Sequence, residues 1–234
     1  MYDYLERTEK LLGEEGLEKL ASARVAVFGI GGVGGYAAEA LARGGVGALD
    51  LIDKDAVSLS NLNRQIIALR STIGRLKVDV MAERIRDINP EAIVRTYPVF
   101  YLPENAGEFD FGAYDYVVDA VDTVTAKLEL VTRAKEAGTP IISCMGAGNK
   151  LWPEMFETAD IYKTSVCPLA KVMRHELRAR GIKELKVVFS KEEPRSHASG
   201  KPRDARTPGS VSFAPGAAGL VLAGAVIRDL LCIA

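Results

Sequence analysis

Short apolar runs alternate with amphipathic stretches through the first 145 residues of the chain. The apolar runs that we predict to be strands are 24–28, 48–52, 92–97, one within 114–122, and 140–144. The stretches before and between them carry apolar residues at helical spacing, and we predict helices over 4–20, 33–43, 75–89 and 123–137. Strands that alternate with helices in this way are typical of a parallel, doubly wound sheet. The pattern therefore predicts an α/β fold of the Rossmann type.

The pattern changes after residue 145. We predict a loop and an irregular strand in 146–165, a helix over 167–180, a short strand over 185–190 and a last apolar helix over about 217–231. The stretch of about 190–210 is rich in Pro, Gly, Ser and charge, which predicts a mobile loop. We expect a single domain over 1–234, in which 1–145 form a mostly parallel core and 146–234 add a partly antiparallel segment.

The composition fits an ordinary soluble globular protein, since 48% of the 234 residues are apolar and 26% are charged. The formal net charge of −1 gives no overall attraction to nucleic acid, so such a role needs a local basic patch. Cys144, Cys167 and Cys232 form no CxxC pair, which argues against a structural zinc and for a reducing compartment. Because the amino terminus lacks the pattern of a signal peptide, we expect a cytoplasmic protein.

The apolar C-terminal stretch has two interpretations. Its length approaches that of a membrane span, but Arg228 and Asp229 interrupt the apolar run. We expect a buried helix of the core. Peripheral membrane contact through this helix stays open as the alternative.

A glycine motif follows the first predicted strand. It reads Gly29-x-Gly31-x-x-Gly34, it opens a helix of small residues, and Asp53 ends the next strand. This arrangement is typical of a dinucleotide-binding βαβ unit, in which the acid binds a ribose hydroxyl. Residues 1–145 are therefore predicted to be a nucleotide-binding core. By itself the motif is weak and favours NAD.

The polar residues after Asp53 change that interpretation. They lie where strands of an open α/β sheet end, and they are Ser60, Asn61, Asn63, Arg64, Gln65, Lys77, Asp119 and Asp122. Cations, amide donors and a carboxylate that can hold Mg²⁺ suit a nucleoside triphosphate better than a nicotinamide. Each residue also has a plain structural interpretation. Lys77 can be a solvated helix lysine, Asp119 can cap a turn, and Asp122 can cap the following helix.

In order and spacing, the glycine motif with Gly32, Asp53, "SLSNLNRQ", Lys77 and Asp122 resembles the ThiF-type adenylating domain of the ubiquitin-activating-enzyme-like superfamily. The resemblance covers residues 7–145. It implies that the cradle takes ATP and Mg²⁺ instead of NAD, and that Asp53 binds the ribose of ATP. The residues that it places at the nucleotide are Gly29, Gly31, Gly32, Gly34, Asp53, Ser60, Asn61, Arg64, Gln65, Lys77 and Asp122.

The same resemblance implies catalytic roles. Asn61, Arg64 and Lys77 are expected to hold phosphates, with Gln65 supporting their loop, and Asp122 is expected to hold Mg²⁺. "RTEKLLG" is similar to an N-terminal segment of the superfamily, which makes Arg7 an arginine finger that reaches into the partner subunit of a homodimer. The alternative is that Arg7 is an exposed helix arginine.

Later segments narrow the resemblance to one subgroup. "MAERIRDINPE", "LKVVFSKEEP" and "SVSFAPGAAGLVLAGAVIRDL" resemble the tRNA threonylcarbamoyladenosine dehydratases. This implies adenylation of a carboxylate on tRNA and ring closure with loss of water, with no obligate small sulfur-carrier protein. A cysteine desulfurase partner stays open. The alternatives are an enzyme that adenylates the C-terminal glycine of a sulfur carrier, and a non-catalytic docking module.

A basic segment is the candidate contact for tRNA. Between residues 171 and 206 the chain carries eleven Lys and Arg against five Asp and Glu. The residues that we expect to contact nucleic acid are Lys171, Arg174, Arg178, Lys186 and Arg203. The alternative is a solvated helix and loop. Cys167, at a predicted helix start, is a thiol with either a chemical or a packing role.

Overall fold

The computed structural model describes residues 3–195 and 208–233, and its centre is a seven-stranded sheet. The strands are β1 Arg24–Phe28, β2 Ala48–Ile52, β3 Ile93–Tyr97, β4 Tyr116–Asp119, β5 Ile141–Cys144, β6 Phe156–Asp160 and β7 Lys186–Ser190. Their order across the sheet is β3-β2-β1-β4-β5-β7-β6. Every neighbouring pair is parallel except β6 and β7. The predicted fold class, a mostly parallel sheet with a partly antiparallel C-terminal segment, is confirmed.

Helices cover both faces of the sheet. They are α1 Glu6–Ser22, α2 Gly34–Arg43, α3 Lys77–Ile88, α4 Val124–Ala137, α5 Pro168–Ala179 and α6 Phe213–Leu230. Helices α2, α3 and α6 pack with one apolar cluster, and α4 and α5 pack with a second. Strand β1 supplies both clusters, because Val25 and Val27 face the first while Ala26 and Phe28 face the second.

The last helix differs from its prediction. It begins at Phe213, four residues before the predicted start. Pro215 and Gly216 precede the predicted start, but both lie in the first turn of α6. Proline costs little there, because the first amide groups of a helix have no intrahelical partner.

Helix α6 is also the one helix within 3–195 and 208–233 that is long and apolar enough to cross a bilayer. Half of that stretch is buried inside the protein. Core helices of globular proteins have the same composition, so length and hydropathy do not distinguish the two interpretations.

The predicted mobile loop falls largely on residues that the structure does not describe. Ser190 ends β7, and Lys191–Arg195 and Pro208–Ser210 are described. The prediction for 196–207, which includes Arg203, lies outside the described residues.

Candidate active site

A cavity of about 570 Å³ opens at the carboxyl ends of the parallel strands. Most of the residues predicted to bind the nucleotide line it, namely Gly29, Gly31, Gly32, Asp53, Asn61, Arg64, Gln65, Lys77 and Asp122. Gly34 and Ser60 do not line it, and Arg7 lies elsewhere in the subunit. The structure therefore gathers four separate segments of the sequence at one edge of the sheet.

The three motif glycines have different physical roles. Gly29 has a φ of 91°, and a Cβ there would lie 2.6 Å from the carbonyl oxygen of Ala120. A Cβ on Gly34 would lie 1.7 Å from the carbonyl oxygen of Gly29. These two positions are glycine because the backbone packs against itself. Gly31 instead faces the cavity, since the nearest atom to its Cβ position is Nε2 of Gln65 at 3.9 Å.

Asp53 holds the glycine turn in place. Its Oδ2 accepts a hydrogen bond from the backbone N–H of Ile30 at 2.7 Å, and its Oδ1 accepts one from that of Asp55 at 2.8 Å. Each carboxylate oxygen can accept a further bond. The residue can therefore bind a ribose hydroxyl while it keeps the turn and the next loop in register.

Lys77 is not a solvated lysine. It is the first residue of α3, only 5% of it is exposed, and its ammonium donates to Oδ2 of Asp55 at 2.8 Å and lies 3.9 Å from Oδ2 of Asp53. The backbone N–H of Lys77 also donates to the carbonyl of Asp55 at 2.9 Å. Asp55 was missed from sequence, although it stands two residues after Asp53 in an Asp-x-Asp pattern.

The loop after β2 orders the other predicted phosphate ligands. Oδ1 of Asn61 accepts from the backbone N–H of Ser58 at 3.0 Å, which closes a short turn. Arg64 donates from Nη1 to the carbonyl of Ser60 at 2.9 Å and to Oδ1 of Asn63 at 2.9 Å. Ser60 thus contributes through its backbone, and its hydroxyl contacts that of Ser58 at 2.9 Å.

Gln65 gives a direct test of whether the cavity fits a ligand. The residue is 7% exposed and lines the cavity, and its Oε1 is buried with no partner among the described residues. A buried amide oxygen without a partner is costly, and a bound molecule can supply the missing donor. With Gly31 open to the cavity and two cations beside it, the site fits a nucleoside triphosphate.

Asp122 does not cap the helix after β4. Thr123 occupies the cap position of α4, and Asp122 contacts it at 3.3 Å through the hydroxyl. The carboxylate of Asp122 is exposed toward the cavity. Within 3–195 and 208–233, no three acidic, histidine or cysteine residues form a metal cluster. One carboxylate suits Mg²⁺ that is shared with phosphates and water.

A buried ion pair supports the loop that carries Asp122. Asp119 and Lys127 are both fully buried, and the Lys127 ammonium lies 3.0 Å from each carboxylate oxygen. Lys127 also donates to the carbonyl of Cys144 at 2.7 Å, and Ser143 donates to Asp119. Asp119 accepts from the backbone N–H of Val121 at 3.2 Å, so it does cap the turn. Sequence gave no signal that Lys127 would be its partner.

The thiols do not point to nucleophilic chemistry. Cys144 is buried, and burial raises the pKa of its thiol to about 12. Cys167 precedes α5 and is 4% exposed, packed in the apolar cluster with α4 and α5. Cys232 is exposed near the end of α6, away from the cavity.

Arg7 lies in the first turn of α1, exposed and without a side-chain partner in the described part of the chain. It does not line the cavity of its own subunit. Both the arginine finger and the exposed helix arginine are compatible with this position.

Three of the basic residues predicted to contact nucleic acid also make contacts within the subunit. Arg174 donates to the carbonyl of Thr164 at 3.2 Å, the Arg178 guanidinium stacks 5.0 Å from the centre of the Tyr162 ring, and the Lys186 ammonium binds Asp229 at 2.6 Å. Arg174 and Arg178 keep their charge in these contacts, and Arg178 and Lys186 are exposed, so their contact with tRNA stays a prediction. Lys171 is exposed, and Arg203 lies outside the described residues.

Comparison with known proteins assigns the family. The family model described as "ThiF family" matches residues 4–231. The tRNA threonylcarbamoyladenosine dehydratase of Bacillus subtilis is 46% identical over 99% of this chain and 96% of its own length. The enzyme of the same name from Escherichia coli is 44% identical, over 74% of this chain and 64% of its own length.

Solved structures agree with the sequence comparison. The E. coli tRNA N6-threonylcarbamoyladenosine dehydratase in complex with AMP matches with a TM-score of 0.90 at 36% identity, covering 97% of this chain and 93% of that one. The same enzyme in complex with ATP matches with a TM-score of 0.89 at 35% identity, covering 98% and 94%. The chain therefore belongs to the ThiF family and, within it, to the tRNA threonylcarbamoyladenosine dehydratases.

Proposed function

We propose that this chain uses ATP to activate the carboxylate of threonylcarbamoyladenosine in tRNA and closes a ring with net loss of water. The observation that carries the proposal is the cavity itself, which Arg64, Lys77 and Asp122 line together with Gln65, whose buried Oε1 has no partner among the described residues. Relatives that carry the name of this activity, and an AMP and an ATP complex among them, support it.

Activation is needed because a carboxylate is a poor electrophile. Its oxygen attacks the α-phosphorus of ATP, pyrophosphate leaves, and an acyl adenylate forms. Arg64 and Lys77 are placed to stabilise the charge that develops on the phosphates during this step. Lys77 is already desolvated, so its charge acts more strongly there than it would in water.

Ring closure needs no nucleophile from the enzyme. The ureido group of the same modified nucleoside attacks the activated acyl carbon, AMP leaves with the former carboxylate oxygen, and one proton is lost. An intramolecular attack of this kind has a high effective concentration. The buried Cys144 and Cys167 fit this route, because neither thiol needs to take part.

Asp122 is proposed to hold Mg²⁺ at the reacting phosphates. The ion would supply Lewis acidity and neutralise the pyrophosphate as it leaves. The exposed carboxylate at the cavity edge and the turn held by Asp119 and Lys127 support this role.

A homodimer is proposed to complete the site. Arg7 is exposed and has no side-chain partner among residues 3–195 and 208–233, and α1 and α6 leave apolar side chains in solvent. The exposed fraction is 86% for Leu11, 49% for Phe213 and 53% for Leu220. A protein interface would bury such side chains if they form one contiguous patch, and we propose a second copy of the chain as the partner.

The proposed tRNA contacts of the basic segment are Lys171, Arg174, Arg178, Lys186 and Arg203, and we propose that the enzyme acts in the cytoplasm. A cysteine desulfurase system as a partner, and peripheral membrane contact through α6, stay open. No obligate sulfur-carrier protein is needed for the proposed reaction.

The decisive experiment supplies purified protein with ATP, Mg²⁺ and tRNA that bears threonylcarbamoyladenosine. We expect pyrophosphate, AMP and a nucleoside lighter by one water in mass spectrometry. The alternative enzyme predicts ATP–pyrophosphate exchange only with a small protein that ends in Gly-Gly, and a tRNA of unchanged mass. That second result would overturn the choice of substrate.

A further inference from the structure

One wall of the cavity is built from two segments that are distant in sequence. Ala147 and Gly148 follow β5, and Pro208, Gly209 and Ser210 precede α6. The opposite wall belongs to the ends of β2 and β3, where Asp53 is placed to bind the ribose. The wall beside β5 is therefore the side left for a second substrate.

A single residue joins the two segments of this wall. The backbone N–H of Asn149 donates to the carbonyl of Gly209 at 2.8 Å, and Oδ1 of Asn149 accepts from the N–H of Gly209 at 2.7 Å. The carbonyl of Asn149 also accepts from the N–H of Arg195 at 3.0 Å. Three hydrogen bonds thus tie three segments to one position.

The local backbone is shaped for this contact. Asn149 has a φ of 59°, in the left-handed region that asparagine and aspartate enter more readily than other residues with a side chain. A Cβ on Gly148 would lie 2.6 Å from Cβ of Pro208. The two segments approach so closely only because residue 148 has no side chain.

The wall is also connected to the phosphate side of the cavity. Nδ2 of Asn63 donates to the carbonyl of Ser210 at 3.0 Å, and Oδ1 of Asn63 accepts from Arg64 at 2.9 Å. Arg64 keeps a separate bond to the carbonyl of Ser60 at 2.9 Å. A shift of Ser210 would therefore displace Asn63, while Arg64 would keep its hydrogen bond to the carbonyl of Ser60.

We propose that Asn149 is a positioning residue for the tRNA substrate. Asn149 holds the cavity wall beside β5 in place, and the substrate carboxylate reaches the α-phosphate of ATP along this wall. This inference rests on the proposed function. Asn149 acts through Gly209 and Ser210. Its loss should therefore weaken the use of tRNA more than the binding of ATP.

The test compares Asn149→Gly with Asn149→Asp. Glycine keeps the backbone conformation but removes the side-chain acceptor, whereas aspartate keeps both. We expect Asn149→Gly to lower kcat/KM for tRNA about ten-fold, as one lost hydrogen bond would, through a raised KM for tRNA. The Kd for ATP should change less than about three-fold, because Arg64 keeps its anchor. Asn149→Asp should restore most of the activity.

A second variant and a control separate positioning from stability. Gly148→Ala pushes Pro208 away while Asn149 is unchanged, and we expect the same loss for tRNA. The control is Asp160→Gly, which lies level with the start of β7 and does not line the cavity. It removes two comparable bonds, from the carboxylate to the N–H groups of Tyr162 at 2.9 Å and Leu185 at 3.0 Å. It should lower Tm and leave the KM for tRNA unchanged.

Two results would overturn the inference alone while the wild-type protein dehydrates its tRNA. One is Asn149→Gly with wild-type kinetics. The other is a decrease in kcat/KM for tRNA that is proportional to the decrease in Tm across all four variants, or that is matched by an equal rise in the Kd for ATP. A wild-type chain that leaves the tRNA unchanged overturns the proposed function and this inference with it.

Discussion

The two halves of the sheet build their parts of the cavity in different ways. On the side of β2 and β3, one continuous stretch from Asp53 to Lys77 supplies the acid, the amides and both cations, and local hydrogen bonds hold them. On the side of β4 and β5, the wall depends on contacts between residues distant in sequence, such as Asn149 with Gly209, 60 positions apart. The nucleotide side can therefore be predicted from a sequence motif, whereas the proposed substrate side depends on long-range contacts that the sequence does not reveal.

The largest expected effect comes from the one carboxylate that faces the cavity from the β4 side. Asp122→Ala should lower kcat by about 10³-fold or more, because a metal-site acid acts mainly in the transition state. Tm should change little, since the side chain is exposed and its one contact is with Thr123. Asp110→Ala, an exposed turn carboxylate away from the cavity, is the control for kcat and Tm. Near-normal turnover by Asp122→Ala would contradict the assignment.

Variants of Arg7 test whether a second subunit contributes a residue to the active site. Arg7→Ala should lower kcat by about 10²–10³-fold if it stabilises charge in phosphoryl chemistry. Mixing Arg7→Ala subunits with Asp122→Ala subunits should restore activity, because each mixed dimer would hold one intact site. Steady-state rates of the mixture against each variant alone are the measurement. Lys10→Ala, on the same helix and also exposed, is the matched control.

No recovery in the mixture, or a protein that is monomeric at assay concentration, would place Arg7 outside the active site. Analytical ultracentrifugation of the wild-type chain distinguishes these two results.

Two glycines of the turn allow the stability of the fold and the binding of ATP to be tested separately. Gly34→Ala should cost about 3 kcal/mol of unfolding free energy or more, because its Cβ would lie 1.7 Å from a backbone oxygen of Gly29. Gly31→Ala should change the unfolding free energy by less than about 0.5 kcal/mol and weaken ATP binding at least about ten-fold, because the methyl group enters the cavity. Urea unfolding and calorimetric titration with ATP measure the two effects.

Equal stability losses in both glycine variants would show that Gly31 is also a packing position. The structure distinguishes them by the open space in front of Gly31, where the nearest atom is 3.9 Å from the Cβ position.

The smallest expected effect is from the thiols. Replacing Cys144, Cys167 and Cys232 by Ala, Ser and Ser should leave kcat within about two-fold of the wild-type value, because ring closure supplies its own nucleophile. Tm should fall modestly, since two of the three are buried. Loss of turnover with normal ATP binding in the Cys167→Ser variant alone would require a chemical role for that thiol.

The sequence predicted the nucleotide side of the cavity better than the wall beside β5. Strands β1 and β2 were predicted to the residue, because their apolar runs end at glycine and aspartate. Lys77 and Asp53 were placed in the site, but Asp55 was missed, since its role depends on a backbone pairing with the start of α3. The partner of Asn149 was not predictable, because Gly209 is 60 residues away. Lys127 is only eight residues after Asp119, but a lysine on a helix carries no signal that it will be buried. Pro215 misled the start of α6 because a first-turn proline and a helix break share one signal.

The basic segment shows a further limit. A charge count cannot tell a free arginine from one that is already bonded, and Arg174 and Lys186 are bonded within the subunit. Their part in tRNA binding stays a prediction, which the salt dependence of tRNA binding by alanine variants would measure.

Asp53 has a consequence for the kinetics of nucleotide binding. Its two hydrogen bonds to Ile30 and Asp55 shape the glycine turn and the following loop before any ligand arrives. The entropic cost of ordering these loops is thus met during folding instead of during association. ATP should bind this half of the cavity as a rigid receptor, in a single fast phase whose rate rises linearly with ATP concentration. Slow rearrangement, if present in the cycle, then belongs to the arrival of tRNA at the other wall.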